Sequence, residues 1–301
     1  MRFSIVTAAL LALAVTQESR RPLGAALVTV IDGSGASLSD LSAVPLTIME
    51  DGHVRDVVSV RPSTDVPFVS VLVDTANSGV DVPIPELRRG LSDFVRTFLG
   101  AEAGAQIALW DFGGRPAEVV AFTTDPAALG RGINRLVRAS SSTAVFETIV
   151  AASREMDAVS SPRRALIIVS VDSVQTDSTA ADRAAQSVRS AGVTVWAIQV
   201  ARGADLVAFS KGTDLGGHLV RTPPSTGAAL DEFLERIAQA TGGLRFTIRQ
   251  ANALPSALER VAQHLDAQQE VRFARPSGTP SLPLVASAGK GLQVLVAPWV
   301  R

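Results

Sequence analysis

The chain has 301 residues, of which 47% are hydrophobic and 19% charged, and a formal net charge of −1. That balance supplies a sizeable core and excludes wholesale disorder. Only Lys211 and Lys290 are lysines and the arginines are scattered, which speaks against a phosphate-tracking nucleic-acid surface; with no cysteine at all, disulfides, thiolate metal sites and cysteine nucleophiles are excluded.

Met1-Arg2 is followed by an apolar run from Phe3 to Val15 and then by polar Thr16 to Arg21. A basic start, a short apolar stretch and the small-x-small triplet Ala12-Leu13-Ala14 describe a secretory signal peptide over residues 1–19. The competing reading is a buried N-terminal strand or helix. The run is shorter than the ~20 apolar residues that a membrane span needs, so no stable span is expected. Export to the periplasm, the cell envelope or the medium is the expectation.

Residues 20–64 read as a β segment. Ala25 to Ile31 is apolar and β-branched and ends at the turn cluster Asp32-Gly33-Ser34-Gly35. Pro45 to Met49 leads into Asp51-Gly52, a hairpin signal, and Val54 to Val60 reads as one return strand. Pro62 and Pro67 bracket a linker.

From residue 65 to 248 strands alternate with helices. Strands are expected at Phe68–Val73, Gln106–Trp110, Ala117–Phe122, Arg164–Val171, Val193–Val200 and Leu244–Ile248. Helices are expected at Pro85–Leu99, from Asp125-Pro126 to Val137, after Thr143, at Ala180–Ser190 and at Leu230–Ala240. Residues 249–301 add a helix, Ala253–Leu265, and terminal strands at Val271–Phe273 and Leu292–Val296. Near-continuous apolar strands separated by helices predict an α/β fold, a doubly wound and mostly parallel sheet covered on both faces. The small N-terminal β portion is expected to sit beside it, joined by the C-terminal strands.

In such sheets, ligands bind beyond the carboxyl ends of the strands, where the strand order reverses. Asp74 and Asp172 occupy strand ends, and the loop Ser140-Ser141-Ser142-Thr143 opens a helix between them. Two carboxylates and several hydroxyls on neighbouring loops make an all-oxygen set suited to a hard divalent cation. Asp74, Asp172 and Thr143 are equally suited to helix caps or turns, and spacing alone leaves both readings open.

Asp74-Thr75-Ala76-Asn77-Ser78, Thr143-Ala144-Val145-Phe146 and Asp172 come in the order of a known motif. The chain resembles the von Willebrand factor A domain, and more narrowly the bacterial exported VWFA-related proteins. Glu50-Asp51-Gly52, Phe122-Thr123-Thr124-Asp125, Ala191-Gly192-Val193 and Ala240-Thr241-Gly242-Gly243 carry the likeness along residues 24 to 300. The resemblance implies a metal-ion-dependent adhesion site of the Asp-x-Ser-x-Ser type. Its ligands here would be Asp74, Ser78, Thr143 and Asp172, the ion Mg²⁺ or another divalent cation, and the partner a protein that offers an acidic residue. Ala76 stands where the motif has its first serine, and Ser173 replaces a common glycine, so the site is expected to be weak or lost.

Rival motifs are incomplete. Gly33-Ser34-Gly35 lacks the third glycine of a dinucleotide fingerprint, and there is no phosphate-binding Gly-Lys-Ser/Thr and no Gly-x-Ser-x-Gly elbow. An aspartyl phosphotransferase would need a carboxylate at Ala76. His53, His218 and His264 are isolated, and Trp110 and Trp196 lie in core strands. Asp111-Phe112-Gly113-Gly114 reads as a strand end and a turn. The function expected is a non-catalytic binding module, with no catalytic residue to name; the alternatives are a structural envelope module with a lost metal site and a hydrolase of unrecognised mechanism.

Overall fold

The computed structural model describes residues 23–76, 84–139, 143–171, 177–200, 229–276 and 283–300. Its centre is a six-stranded sheet built from β5 (Phe68–Val73), β6 (Gln106–Asp111), β7 (Ala117–Thr123), β8 (Arg164–Val171), β9 (Thr194–Val200) and β10 (Arg245–Ile248). The strand order is β10-β9-β8-β5-β6-β7, with only β7 antiparallel. The chain therefore adds β6 on one side of β5 and β8 on the other. The order reverses between β5 and β8, which is where a doubly wound sheet opens a crevice.

Among the described residues, six α-helices cover the two faces. α1 (Ile84–Ala101), α2 (Pro126–Arg135) and α6 (Leu254–Asp266) enclose one apolar core, with Leu87, Leu91, Phe94, Phe98, Ile133, Leu258 and Val261 turned into the sheet. α3 (Val145–Asp157), α4 (Ser178–Ser190) and α5 (Ala229–Ala240) enclose the other, around Phe146, Ile149, Val188 and Phe233. Burial on both faces is the reason the central strands lack alternation: β9 is buried at every residue. Asp125 caps α2 by accepting the Ala127 N–H at 2.8 Å, with Pro126 in the first turn, as its sequence predicts. Asp177 caps α4 in the same way through Ala180 N–H at 3.0 Å.

The first and last described strands meet in a second sheet. β1 (Leu23–Ile31) lies between β11 (Gln269–Ala274) and β13 (Gln293–Val300), antiparallel to both, and β4 (Val57–Pro62) pairs with β11. Ala26, Val28 and Val30 of β1 pack with Ile48, Val271 and Phe273, whereas Ile31 and Leu295 join the core under α6. β1 is thus a buried central strand, so its sequence is apolar almost throughout. A third, small sheet has the order β12-β2-β3, with β2 at Thr47–Glu50, β3 at His53–Arg55 and β12 at Leu284–Ser287.

One expectation is corrected here, and one strand is new. The run Val54–Val60 is not one return strand. It pairs with β2 only as far as Arg55, and after Asp56 it crosses to β11, where the Asp56 carbonyl accepts the Ala274 N–H at 2.9 Å. A one-residue corner in extended backbone carries no Gly or Pro signal, so only the available neighbours reveal it. β12 was not anticipated, because four residues with one half-buried face give too short a pattern. The hairpin itself is as expected: Asp51 and Gly52 both have positive φ, 51° and 75°, as a two-residue type I′ turn requires.

His264 on α6 is fully buried, its ring stacked on Trp196 at 5.3 Å and on Phe246 at 6.2 Å between centroids. Burial, with a smaller contribution from Arg260, pushes its pKa down from 6.5 to about 4. Between those values the unfolded chain binds a proton that the folded chain refuses. The stability conferred by the neutral ring is therefore complete above pH 6.5 and is lost as pH falls towards 4. At ~1.4 kcal/mol per pKa unit the loss is on the order of 3 kcal/mol. Urea unfolding at pH 7, 5.5 and 4.5 should show this decline, and His264→Phe should flatten it. An equal slope in the variant assigns the acid sensitivity to other groups.

Candidate functional site

The carboxyl edge of the sheet brings the ends of β5 and β6 together. Val73 lies opposite Asp111 in the parallel register, Phe112 N–H donates to the Val73 carbonyl at 3.0 Å, and Asp74 N–H donates to Val169 of β8 at 2.9 Å. Asp74 therefore sits at the reversal of strand order, as the sequence predicts for a binding edge. Its carboxylate is 2% exposed, and its Oδ1 accepts the Ala76 N–H at 2.9 Å.

Thr143 reaches the same place from the other side. It forms an isolated antiparallel bridge with Gly113, and the next residue, Ala144, donates its N–H to the Phe112 carbonyl at 2.9 Å. The side chain that could cap α3 belongs to Ala144, which makes no such bond, so Thr143 is no helix cap. Asp74 does shape the turn at Ala76. Ser78 and Asp172, the other two ligands that the resemblance implies, lie outside the described residues, as do Ser140 to Ser142 and Ser173.

Two residues that sequence reasoning passed over complete the arrangement. The Thr75 hydroxyl donates to the Asp111 carboxylate, 2.8 Å from Oδ1 and 2.9 Å from Oδ2, and Gly113 N–H donates to the same Oδ1 at 2.8 Å. The Thr75 carbonyl in turn accepts the Ala139 N–H at 2.9 Å. Burial raises the Asp111 pKa above its ordinary value, and the bonds from Gly113 and Thr75 oppose that shift. The signal for Asp111 was present: it ends a strand at the same edge as Asp74, yet it reads as an ordinary strand end followed by a turn. Gly113 is required for the close approach. A Cβ there would stand 2.3 Å from Thr75 Oγ1 and 2.8 Å from Ala76 N.

A hard divalent ion needs an oxygen cage. From the described residues the edge offers the Asp74 carboxylate and the Thr143 hydroxyl, whose chemistry suits such an ion. Ala76, 6% exposed in the same turn, contributes a methyl group and no donor. No group of three His, Cys, Asp or Glu among the described residues could hold a metal.

Among solved structures, a von Willebrand factor type A protein from Catenulispora acidiphila is 13% identical, covering 93% of this chain and 75% of its own, with a TM-score of 0.51. BatB from Bacteroides thetaiotaomicron is 16% identical over 66% of this chain and 97% of its own, TM-score 0.48. The vWF domain of the type V pili tip protein Mfa5 from Porphyromonas gingivalis is 15% identical over 67% and 95%, TM-score 0.49. At these identities the likeness is one of fold. No curated protein matches the sequence. The family model of the von Willebrand factor type A domain matches residues 69–260, from the first central strand into α6 and so well over half of the chain. With its six-stranded sheet, its reversal between β5 and β8 and that match, the chain belongs to the von Willebrand factor type A domain family.

Proposed function

We propose that this chain is a non-catalytic protein-binding module that works outside the cytoplasm, through the carboxyl edge around Asp74. What supports the reading is that the turn following Asp74 and the residue Thr143 both lie against Gly113 at that edge. Ser78 and Asp172 are the remaining ligands of a reduced divalent site for Mg²⁺ or a similar ion. When bound, the ion would offer an open coordination position to an acidic side chain of the partner. The protein's own part is to hold a buried carboxylate and a neutral hydroxyl in place; a neutral donor leaves the ion electrophilic. Location outside the cytoplasm rests on the N-terminal pattern, and an intact Met1 on a cytoplasmic pool would overturn it.

Position 76 gives the test. Mg²⁺ takes near-octahedral oxygen geometry, so a site lacking one hydroxyl must bind weakly. Ala76→Ser should strengthen Mg²⁺ or Mn²⁺ binding about tenfold in calorimetry, a difference on the order of 1.4 kcal/mol. Asp172→Ala in that background should abolish it. Capture of envelope proteins by the native chain, with and without chelator, then tests the partner. If Ala76→Ser gains no affinity and capture ignores chelator, the module binds by other surfaces and the metal reading falls.

A further inference from the structure

We infer that Asp111 is a positioning residue of this edge: acting through Thr75, it fixes the Asp74–Ala76 turn in its site geometry before any ligand arrives. The inference deepens the proposed reading and rests on it for taking the turn as the core of the site.

The argument begins with the length of chain involved. β5 ends at Val73, and the turn that follows carries the candidate ligand Asp74 with no further strand pairing beyond the Val169 bond. Such a turn would ordinarily be free to reorient, and ordering it would be charged against binding. Here three contacts with separate origins hold it. Asp74 Oδ1 takes the Ala76 N–H, the Thr75 hydroxyl lies between both Asp111 oxygens, and the Thr75 carbonyl takes the Ala139 N–H. Thr75 is 3% exposed, so its hydroxyl has no water to fall back on. Asp111 is itself anchored, because its Oδ1 also accepts the Gly113 N–H and its backbone belongs to β6.

The link also joins both halves of the site. Asp111 precedes Phe112 and Gly113, the two residues to which Thr143 and Ala144 are attached. One carboxylate therefore sets the spacing between the loop that carries Asp74 and the loop that carries Thr143. The bare face of Gly113 lets Thr75 approach, since any side chain there would occupy the Thr75 hydroxyl's place. Asp111 touches neither partner nor ion in this scheme. Its effect passes through Thr75 and Gly113.

Hydrogen exchange of the Ala76 and Ala139 amides in the full chain, measured without divalent ions, decides the matter. Thr75→Val keeps the shape and removes the donor; Asp111→Ala removes the acceptor; Asp111→Asn keeps an amide oxygen for both bonds. Gly113→Ala wedges the two loops apart without altering either group. Exchange at Ala76 and Ala139 should rise at least tenfold in Thr75→Val, Asp111→Ala and Gly113→Ala, and should stay near the native rate in Asp111→Asn. The Val195 amide, bonded to Thr241 Oγ1 far from this edge, serves as the internal control and should not change. Unchanged exchange at Ala76 and Ala139 in Thr75→Val overturns the inference, and so does an equal rise at Val195, which would mean general loosening. Mn²⁺ titration of the same variants carrying Ala76→Ser forms the second arm. Affinity should fall about tenfold wherever local exchange rises. If exchange responds as expected while no variant binds Mn²⁺, the positioning role of Asp111 stands and the metal reading alone is lost.

Discussion

Arg163→Ala is expected to destabilise the fold by about 3–5 kcal/mol, the range for stripping one partner from a buried ion pair. The guanidinium is buried at the amino end of the sheet, just before β8, and all three of its nitrogens are engaged. Nε donates to Gln268 Oε1 at 3.2 Å, Nη1 to the Asp65 carbonyl at 3.0 Å and to Glu102 Oε2 at 2.8 Å. Nη2 donates to Glu102 Oε1 and, at 2.7 Å, to the Leu265 carbonyl. One side chain thus ties the end of α1, the linker before β5, the end of α6 and the start of β11. The alanine variant would leave Glu102 with its charge in a largely buried place and would remove the arginine donor from the Asp65 and Leu265 carbonyls. Arg163→Lys should recover little, because a point charge cannot reproduce the planar fork. Urea unfolding of the two variants beside the native chain measures this, and a loss under ~1 kcal/mol for alanine would show that water replaces the contacts.

Gly243→Ala should cost at least ~3 kcal/mol or prevent folding, since overpacking against rigid backbone cannot be relieved by a rotamer change. An added Cβ would lie 1.9 Å from the Val195 carbonyl oxygen and 2.8 Å from its carbon. That carbonyl belongs to β9, whose Val195 N–H is held by Thr241 Oγ1 at 3.0 Å, while Thr241 Oγ1 donates to Ile237 at 2.7 Å. The turn between α5 and β10 is therefore pinned to the strand beside it, and the methyl group must push β9 and β10 apart. Gly130→Ala in α2 is the matched control: nothing lies within 4 Å of its added Cβ, so it should stabilise the helix by about 0.5–1 kcal/mol. Thermal unfolding of both variants should move in opposite directions. Similar shifts would mean that the contact at Gly243 relaxes at little expense.

Much of the central fold could be read before the structure. The expected strands at Phe68–Val73 and Arg164–Val171 coincide with β5 and β8, and the Asp125-Pro126 start of α2 is met by an N-cap bond. These features are local. Continuous apolar β-branched runs mark strands buried on both faces, and a capping carboxylate acts within three residues of its own position. In the sequence the candidate site rests on Asp74, Ser78, Thr143 and Asp172. Asp74 is singled out because a carboxylate after a buried strand stands out. Asp111 is the last residue of β6, one position short of the place Asp74 holds after β5; its partner Thr75 is a residue of an adjacent strand's loop, and their meeting depends on the register Val73 to Asp111.

The sequence by itself determined the alternation of strands and helices, the apolar faces that force a covered parallel sheet, and the strand edge at which a ligand could be held. All of these follow from periodicity and from residue chemistry over a few positions. Tertiary structure alone decided that β1 is an inner strand between β11 and β13, each more than two hundred residues away from it in sequence. It alone split Val54–Val60 between two sheets, buried His264 against Trp196, and set Gly113 against Thr75. The physical reason is common to the four. Each depends on which backbone or ring arrives from a distant part of the chain, and a strand's apolar pattern states that it will be covered without stating by what.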